Sequence, residues 1–215
     1  MALASTGRTI LPTHPGFDGR PRPSWFHRID DLALAYLTLL ERLGLDDTVL
    51  VGNSVGGWIA AEMGLRASPR VAAVVLINSV GLAPTPEGGD IVDPASLAPA
   101  ERSALSFHNP ARYAAPPADP EALATMAANQ QALRAYAGEP FMHDPGLRAR
   151  LPGIKLPTLV LWGESDRIVT PTYGRQFSDA IPDARFELIP QAGHFPQIEQ
   201  LNEVVALIKG LARHG

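Results

Sequence analysis

Cysteine is absent from the 215 residues, which excludes a disulfide framework, a thiolate zinc site and a thiol nucleophile together. Long apolar runs are absent as well. No stretch of eighteen apolar residues could span a bilayer, and the opening Met1-Ala2-Leu3-Ala4-Ser5-Thr6-Gly7 lacks the apolar segment of a secretory signal. Nor is there a basic run: eighteen Lys and Arg are scattered among twenty-two Asp and Glu, for a net charge of -4. Nucleic acid and acidic membrane surfaces therefore have nothing to hold. These absences describe a cytoplasmic protein acting on a small-molecule substrate, without a nucleic-acid or membrane partner, and they leave room for a homodimer.

What is present is ordinary globular material, 46% hydrophobic and 19% charged, in a length that suits one α/β domain with a substantial core. Thr9-Ile10-Leu11-Pro12 reads as a short buried strand entering the loop His14-Pro15-Gly16-Phe17-Asp18-Gly19. Ile29, Leu32, Ala33, Tyr36, Leu37, Leu40 and Leu43 recur at three- and four-residue steps, which predicts a helix stopped by Gly44. Thr48-Val49-Leu50-Val51 and Val71-Ala72-Ala73-Val74-Val75-Leu76-Ile77 are apolar on both faces, the signature of parallel strands covered by helices. A helix over 55–67 lies between them.

The twenty-one prolines concentrate between Pro84 and Pro157, where the pattern changes to short helical pieces. Pro99, Pro120 and Pro145 sit where a first helical turn tolerates proline, with Asp119 and Asp144 placed as N-caps. Strand character returns at Thr158-Leu159-Val160-Leu161-Trp162 and Arg185-Phe186-Glu187-Leu188-Ile189, with a helix over 171–181 between. A last helix presents Leu201, Val204, Val205 and Ile208 on one face. The expected fold is α/β, a mostly parallel sheet flanked by helices. Its core is formed by residues 1–83 and 151–215, with a helical insertion at 84–150.

Gly52-Asn53-Ser54-Val55-Gly56 directly follows one apolar strand and directly precedes a helix. A sharp strand-to-helix turn of this kind forces its serine into strained geometry and presents the hydroxyl to solvent, which is what a nucleophile needs. A base must take its proton. Among six histidines, His194 lies in Pro190-Gln191-Ala192-Gly193-His194-Phe195-Pro196, the loop leaving the last strand, at the sheet edge where Ser54 also falls. A carboxylate must orient the imidazole. Asp166 in Gly163-Glu164-Ser165-Asp166-Arg167 leaves another strand at that edge, and it reaches further from the strand end than Glu164, a charge of the kind a solvated loop carries. Read singly, Asp166 could be an Asx turn and His194 a surface histidine. The agreement of three independent placements in the chain order Ser, Asp, His selects the chemistry.

With these motifs in place, the chain resembles the α/β-hydrolase superfamily from about Thr9 to the C-terminus. Gly163 to Val169 looks like the family's acid loop, Ala192 to Glu199 like its histidine loop, and His14 to Gly19 like the loop after its fourth strand. The resemblance implies a helical cap at 84–150, with Phe107, Met126, Tyr136, Phe141 and Met142 as candidate pocket walls, each of which could equally be cap core. It implies acyl transfer without metal or organic cofactor, on a small, largely apolar ester or related carbonyl compound. Asn53 before the serine is similar to carbon–carbon bond hydrolases and equally to many plain esterases, and cofactor-free haloperoxidases and perhydrolases use the same triad. Serine at position 54 argues against dehalogenases and epoxide hydrolases, which carry Asp there.

The family's first three strands have no counterpart, so the resemblance is to an N-terminally truncated fold, and Met1 is expected to be an internal methionine of a longer coding sequence. The missing third strand would lie between those at Thr9 and Thr48 and would carry the His-Gly loop of the oxyanion hole. Val55 N–H supplies one oxyanion donor and no second is assigned, a loss worth roughly 3 to 4 kcal/mol of transition-state stabilisation. The alternative expectation is a catalytically impaired hydrolase fold serving as a binding protein.

Overall fold

A computed structural model describes residues 3, 7–113 and 119–211. The elements run α1 (Ile29–Arg42), β1 (Thr48–Asn53), α2 (Val55–Leu65), β2 (Val71–Ile77), β3 (Gly81–Leu82), α3 (Pro99–Ser106), α4 (Pro110–Tyr113), α5 (Pro120–Ala137), β4 (His143–Asp144), α6 (Leu147–Arg150), β5 (Thr158–Gly163), α7 (Pro171–Asp179), β6 (Arg185–Ile189), α8 (Pro196–Glu199) and α9 (Leu201–Leu211). The main sheet has the order β1-β2-β5-β6 and every pairing in it is parallel; β3 and β4 form a separate pair.

Alternation along the two central strands sorts the core into two faces. Val74, Leu76, Val160 and Trp162 point to the side covered by α1, α2 and α7, where they meet Trp58, Tyr173 and Phe177. Val75, Ile77, Leu159 and Leu161 point to the other side and meet Val204 and Ile208 of α9. Helix α1 starts where Asp31 folds back to accept the backbone N–H groups of His27 and Arg28 at 2.8 and 2.9 Å. It stops at Gly44, whose φ of 60° turns the chain so that Leu45 N–H reaches the Leu40 carbonyl. Asp119 caps α5 as its position predicts, accepting from Ala122 N–H at 2.8 Å.

Three expectations need correction. Thr9 to Leu11 is not a strand: it is irregular and exposed, with Leu11 70% accessible. A strand forms only where a neighbour completes its ladder, and β1 makes its ladder with β2 alone. Pro145 does not open a helix, because Asp144 accepts from Gly146 N–H at 2.7 Å in an Asx turn and α6 begins at Leu147. Leu201 is exposed, so the buried face of α9 is Val204 and Ile208.

Between β3 and β5 the chain is a succession of short helices and one of eighteen residues, α5. This stretch is tied to the core by an ion cluster. Arg150 grips the fully buried Glu62 of α2 with two hydrogen bonds of 2.9 and 2.8 Å and also binds Asp144. The segment before α1 docks on the same side: Asp18 and Asn129 exchange hydrogen bonds of 2.8 and 2.9 Å, and Tyr136 donates to the Pro15 carbonyl at 3.0 Å. His14 bonds Tyr36. Burial lowers the His14 imidazole, and burial, then Tyr136, pushes the Tyr36 phenol up to about 12.

Candidate active site

Parallel register brings the ends of the strands to one edge. Asn53 lies opposite Ile77, Ile77 opposite Leu161, and Gly163 opposite Ile189. The loops that leave these ends are then laced together by backbone hydrogen bonds: Ser54 N–H to Ile77 O at 2.9 Å, Asn78 N–H to Leu161 O at 3.0 Å, Glu164 N–H to Ile189 O at 2.9 Å and Ser165 N–H to Ala192 O at 2.8 Å.

Ser54 holds φ 54° and ψ -118°, a conformation a side chain rarely adopts. It is tolerated because strand and helix come together without side chains between them. A Cβ on Gly52 would lie 2.0 Å from the Gly56 carbonyl oxygen, and one on Gly57 would lie 2.5 Å from Ser79 Oγ. Gly56, by contrast, faces open space. The close approach therefore rests on Gly52 and Gly57, not on the second glycine of the pentapeptide. Ser54 is the N-cap of α2, yet its side chain makes no capping bond, which leaves the hydroxyl uncommitted. Val55 is the first residue of α2, so its N–H has no acceptor inside the helix.

Asp166 and His194 are brought together. Nδ1 of His194 lies 2.8 Å from Asp166 Oδ2, and both residues are buried. An ionised carboxylate can only accept, so Nδ1 carries a hydrogen, and in the neutral ring the lone pair is on Nε2. The other carboxylate oxygen accepts from the backbone N–H groups of Ile168 at 2.8 Å and Val169 at 3.2 Å. Glu164, the competing carboxylate, is exposed. His194 Nε2 and Ser54 Oγ form no hydrogen bond among the described residues. Their loops are nonetheless adjacent, because the Asn53 amide donates to the His194 carbonyl at 3.0 Å and to the Ile77 carbonyl at 3.1 Å. Bonds of this kind commonly tighten only when substrate is bound.

Sequence reasoning missed two residues here. Asn78 is fully buried and its amide donates to Asp166 Oδ2. Glu199 accepts three backbone N–H groups, from Gly193 at 2.7 Å, His108 at 3.1 Å and Asn109 at 3.0 Å, so it joins the histidine loop to the segment after α3. His194 N–H also reaches the Ser106 carbonyl, at 2.7 Å. Of the five candidate pocket walls, Phe107 stands beside the histidine loop, 5.4 Å from the Phe195 ring and 6.0 Å from Tyr113. Tyr136 lines a different cavity, of about 540 Å³, with Trp58 and His143. Met142 and the partly buried Phe141 join the main core, and Met126 is exposed.

A parallel sheet with helices on both faces, a strained serine at a strand-to-helix turn and a buried Asp–His pair at the same edge define an α/β hydrolase. The family model described as "Alpha/beta hydrolase family" matches residues 1–207, and the chain belongs to that family. It is 30% identical, over 94% of its length, to a dihydrolipoyllysine-residue acetyltransferase component of an acetoin cleaving system from Pseudomonas putida, and spans 55% of that protein. It is 29% identical over 92% of its length to a 2-hydroxy-6-oxo-6-phenylhexa-2,4-dienoate hydrolase from Burkholderia cepacia, spanning 74% of it. Among solved structures, a meta-cleavage product hydrolase superposes over the whole chain and 83% of its own, with a TM-score of 0.77 at 21% identity. An esterase from Thermogutta terrifontis superposes over 99% of this chain and 82% of its own, with a TM-score of 0.67 at 24% identity. Among the described residues no helix is long and apolar enough to cross a membrane, and no cluster of side chains could hold a metal ion.

Proposed function

We propose that this chain is a serine hydrolase that works by acyl transfer on a small, largely apolar ester or related carbonyl compound. One observation carries the reading: the buried 2.8 Å His194–Asp166 bond lies in a loop whose carbonyl is held by the residue preceding Ser54. Asp166 fixes the tautomer that leaves Nε2 free, and Nε2 takes the Ser54 hydroxyl proton as Oγ attacks the substrate carbonyl carbon. The resulting oxyanion is stabilised by Val55 N–H. Protonated His194 then gives its proton to the leaving group, and water, deprotonated by the same nitrogen, releases the acyl group and restores Ser54. The rings of Phe107, Tyr113 and Phe195 beside the histidine loop suit an apolar acyl or alkoxy group. A meta-cleavage-type ketone is the related carbonyl substrate that Asn53 and the Burkholderia cepacia relative suggest.

A fluorophosphonate reporter tests the reading. The wild-type chain is expected to be labelled covalently and Ser54→Ala is not; absence of labelling on well-folded wild-type protein overturns the proposal.

A further inference from the structure

Asn78 follows the last residue of β2 and is fully buried, with φ at 44°. Asparagine enters the left-handed region more readily than other residues with a side chain, and a buried one is held there by its surroundings. Here the demand comes from strand β5 and from the two loops that carry Asp166 and His194. The Asn78 backbone N–H donates to Leu161 O at 3.0 Å. Its side-chain oxygen accepts from Gly163 N–H at 3.2 Å, at the end of β5. Its side-chain nitrogen donates to Asp166 Oδ2 and, more distantly, to the Gly193 carbonyl at 3.4 Å.

These partners fix the amide orientation. Reversed, it would set NH₂ against the Gly163 N–H and a carbonyl against the Asp166 carboxylate. Oδ1 of Asp166 is already committed to Ile168 and Val169 N–H. Oδ2 is thus the oxygen left for His194, and Asn78 donates to that same atom.

We propose that Asn78 is a positioning residue for the hydrolytic reaction: its amide holds Asp166 Oδ2 in place, as an anion, against His194 Nδ1. The proposal rests on the Ser54–His194–Asp166 reading. It also explains why the position is Asn. Glycine would take the backbone conformation without strain but leave Oδ2 one donor short. Aspartate has the same shape but would press a second carboxylate onto the first. The other titratable groups near the acid loop are His108, Glu164 and Arg167, which with Ser165 and Asp166 line a cavity of about 380 Å³; Glu199 stands on the Gly193 side. His108, Glu164 and Arg167 are exposed and Glu199 is half-buried.

The test is Asn78→Asp, assayed with p-nitrophenyl butyrate across pH. Two carboxylates within hydrogen-bond reach share one proton near neutrality, so Asp166 no longer presents a full anion to His194. The expected result is kcat lower at pH 7 by roughly 10²-fold, less than the ~10⁴ that follows loss of the correct tautomer. With less negative charge beside it the His194 imidazolium is less stabilised, so the acid limb of kcat/KM should move down by about one pH unit or more, and the downfield proton resonance of the His194–Asp166 bond should shift. An acid limb and a resonance identical to wild type overturn the proposal.

Should Asn78→Asp fail to fold, Asn78→Ala replaces it. Alanine removes the amide donor to Asp166 Oδ2, so kcat is expected to fall at least about tenfold with the His194–Asp166 proton resonance shifted; kcat and resonance both unchanged in a variant that melts cooperatively overturn the proposal. Ser54→Ala runs beside them. Activity surviving in Ser54→Ala sinks the nucleophile reading, whereas loss there with an unshifted Asn78→Asp profile sinks only the role of Asn78.

Discussion

The strand ends at one edge of the sheet and the helical stretch between β3 and β5 use the same residue types under different tolerances. At the edge, backbones approach so closely that a single Cβ at Gly52 would sit 2.0 Å from a carbonyl oxygen. Buried side chains there are satisfied several times over, Asp166 by four donors. In the helical stretch α5 exposes Leu123 and Met126, and the cap of its first turn is a solvent-facing Asp119. That stretch is held by the apolar side chains it sends into the main core, Tyr136, Met142 and Leu147 among them, and by a few polar anchors, Arg150 on Glu62 and Glu199 on the backbone after α3. The lesson is that polar geometry is over-determined where a proton would move, while the helical stretch relies on apolar packing and a few ion pairs.

Substitutions at the edge should show the largest effects. Asp166→Asn keeps the shape but lets the amide donate toward His194 Nδ1, favouring the wrong tautomer, and kcat is expected to fall about 10⁴-fold. Glu164→Gln, on the exposed neighbour, should stay within about twofold of wild type on the same logic that surface changes cost little. Steady-state kinetics on one ester decides between them, and a larger loss at Glu164 would reverse the assignment of the acid. Gly52→Ala comes next. Its methyl must push strand from helix, so it is expected to lose more than about 4 kcal/mol or not to fold. Gly56→Ala meets nothing and should be stable, gaining up to about 1 kcal/mol from helix propensity. Thermal melts of the two variants break the comparison if they match.

The anchors between the two regions give an intermediate effect and a pH signature. Burial alone would raise the Glu62 carboxyl, but hydrogen bonds and charge from Arg150, joined by Arg66, outweigh it and hold it below its ordinary value. A carboxyl depressed in the folded state contributes stability that is present above its unfolded value and is lost as pH falls through the folded one. Asp30 runs the other way: burial and then the charge of Glu62 raise it, so its contribution is lost as pH rises through the raised value. Glu62→Ala should cost about 2 to 3 kcal/mol, somewhat below the loss usual for breaking a buried pair, because the Arg150 side chain is 40% accessible and can turn to water. Urea melts below pH 5 should lose stability in wild type and be flatter in Glu62→Gln.

How much of this is legible in sequence follows the same division. Ser54, Asp166 and His194 can be placed because each follows an apolar run closely, and parallel strands deliver such positions to one edge. Asn78 follows β2 just as directly, but an asparagine after a strand reads as an ordinary turn former; only the register that sets Ile77 beside Leu161 reveals what its amide touches. Glu199 is hidden for a related reason, since its three acceptor bonds go to backbone, which carries no sequence signal. Thr9 to Leu11 misleads in the opposite sense. Its local pattern is that of a strand, and nothing in three residues says whether a neighbour exists to pair with. Gly57, outside the pentapeptide, is also closely packed because Ser79 comes from another turn.

The smallest expected effect separates two residues that look equivalent in the chain. Phe107 and Met126 are both large apolar side chains in the helical stretch, and both are candidates for a pocket wall. The fold puts Phe107 within 5.4 Å of the Phe195 ring, next to His194, and leaves Met126 at 37% accessibility on the outer side of α5. Phe107→Ala should therefore raise KM for a butyrate ester more than for an acetate ester, because the longer acyl chain no longer has a ring to bury against, at about 0.8 kcal/mol per methylene. Met126→Gln should leave both KM values unchanged and move stability by no more than about 0.5 kcal/mol. If Met126→Gln alters chain-length preference while Phe107→Ala does not, substrate approaches across α5 and the aromatic group beside His194 is packing alone.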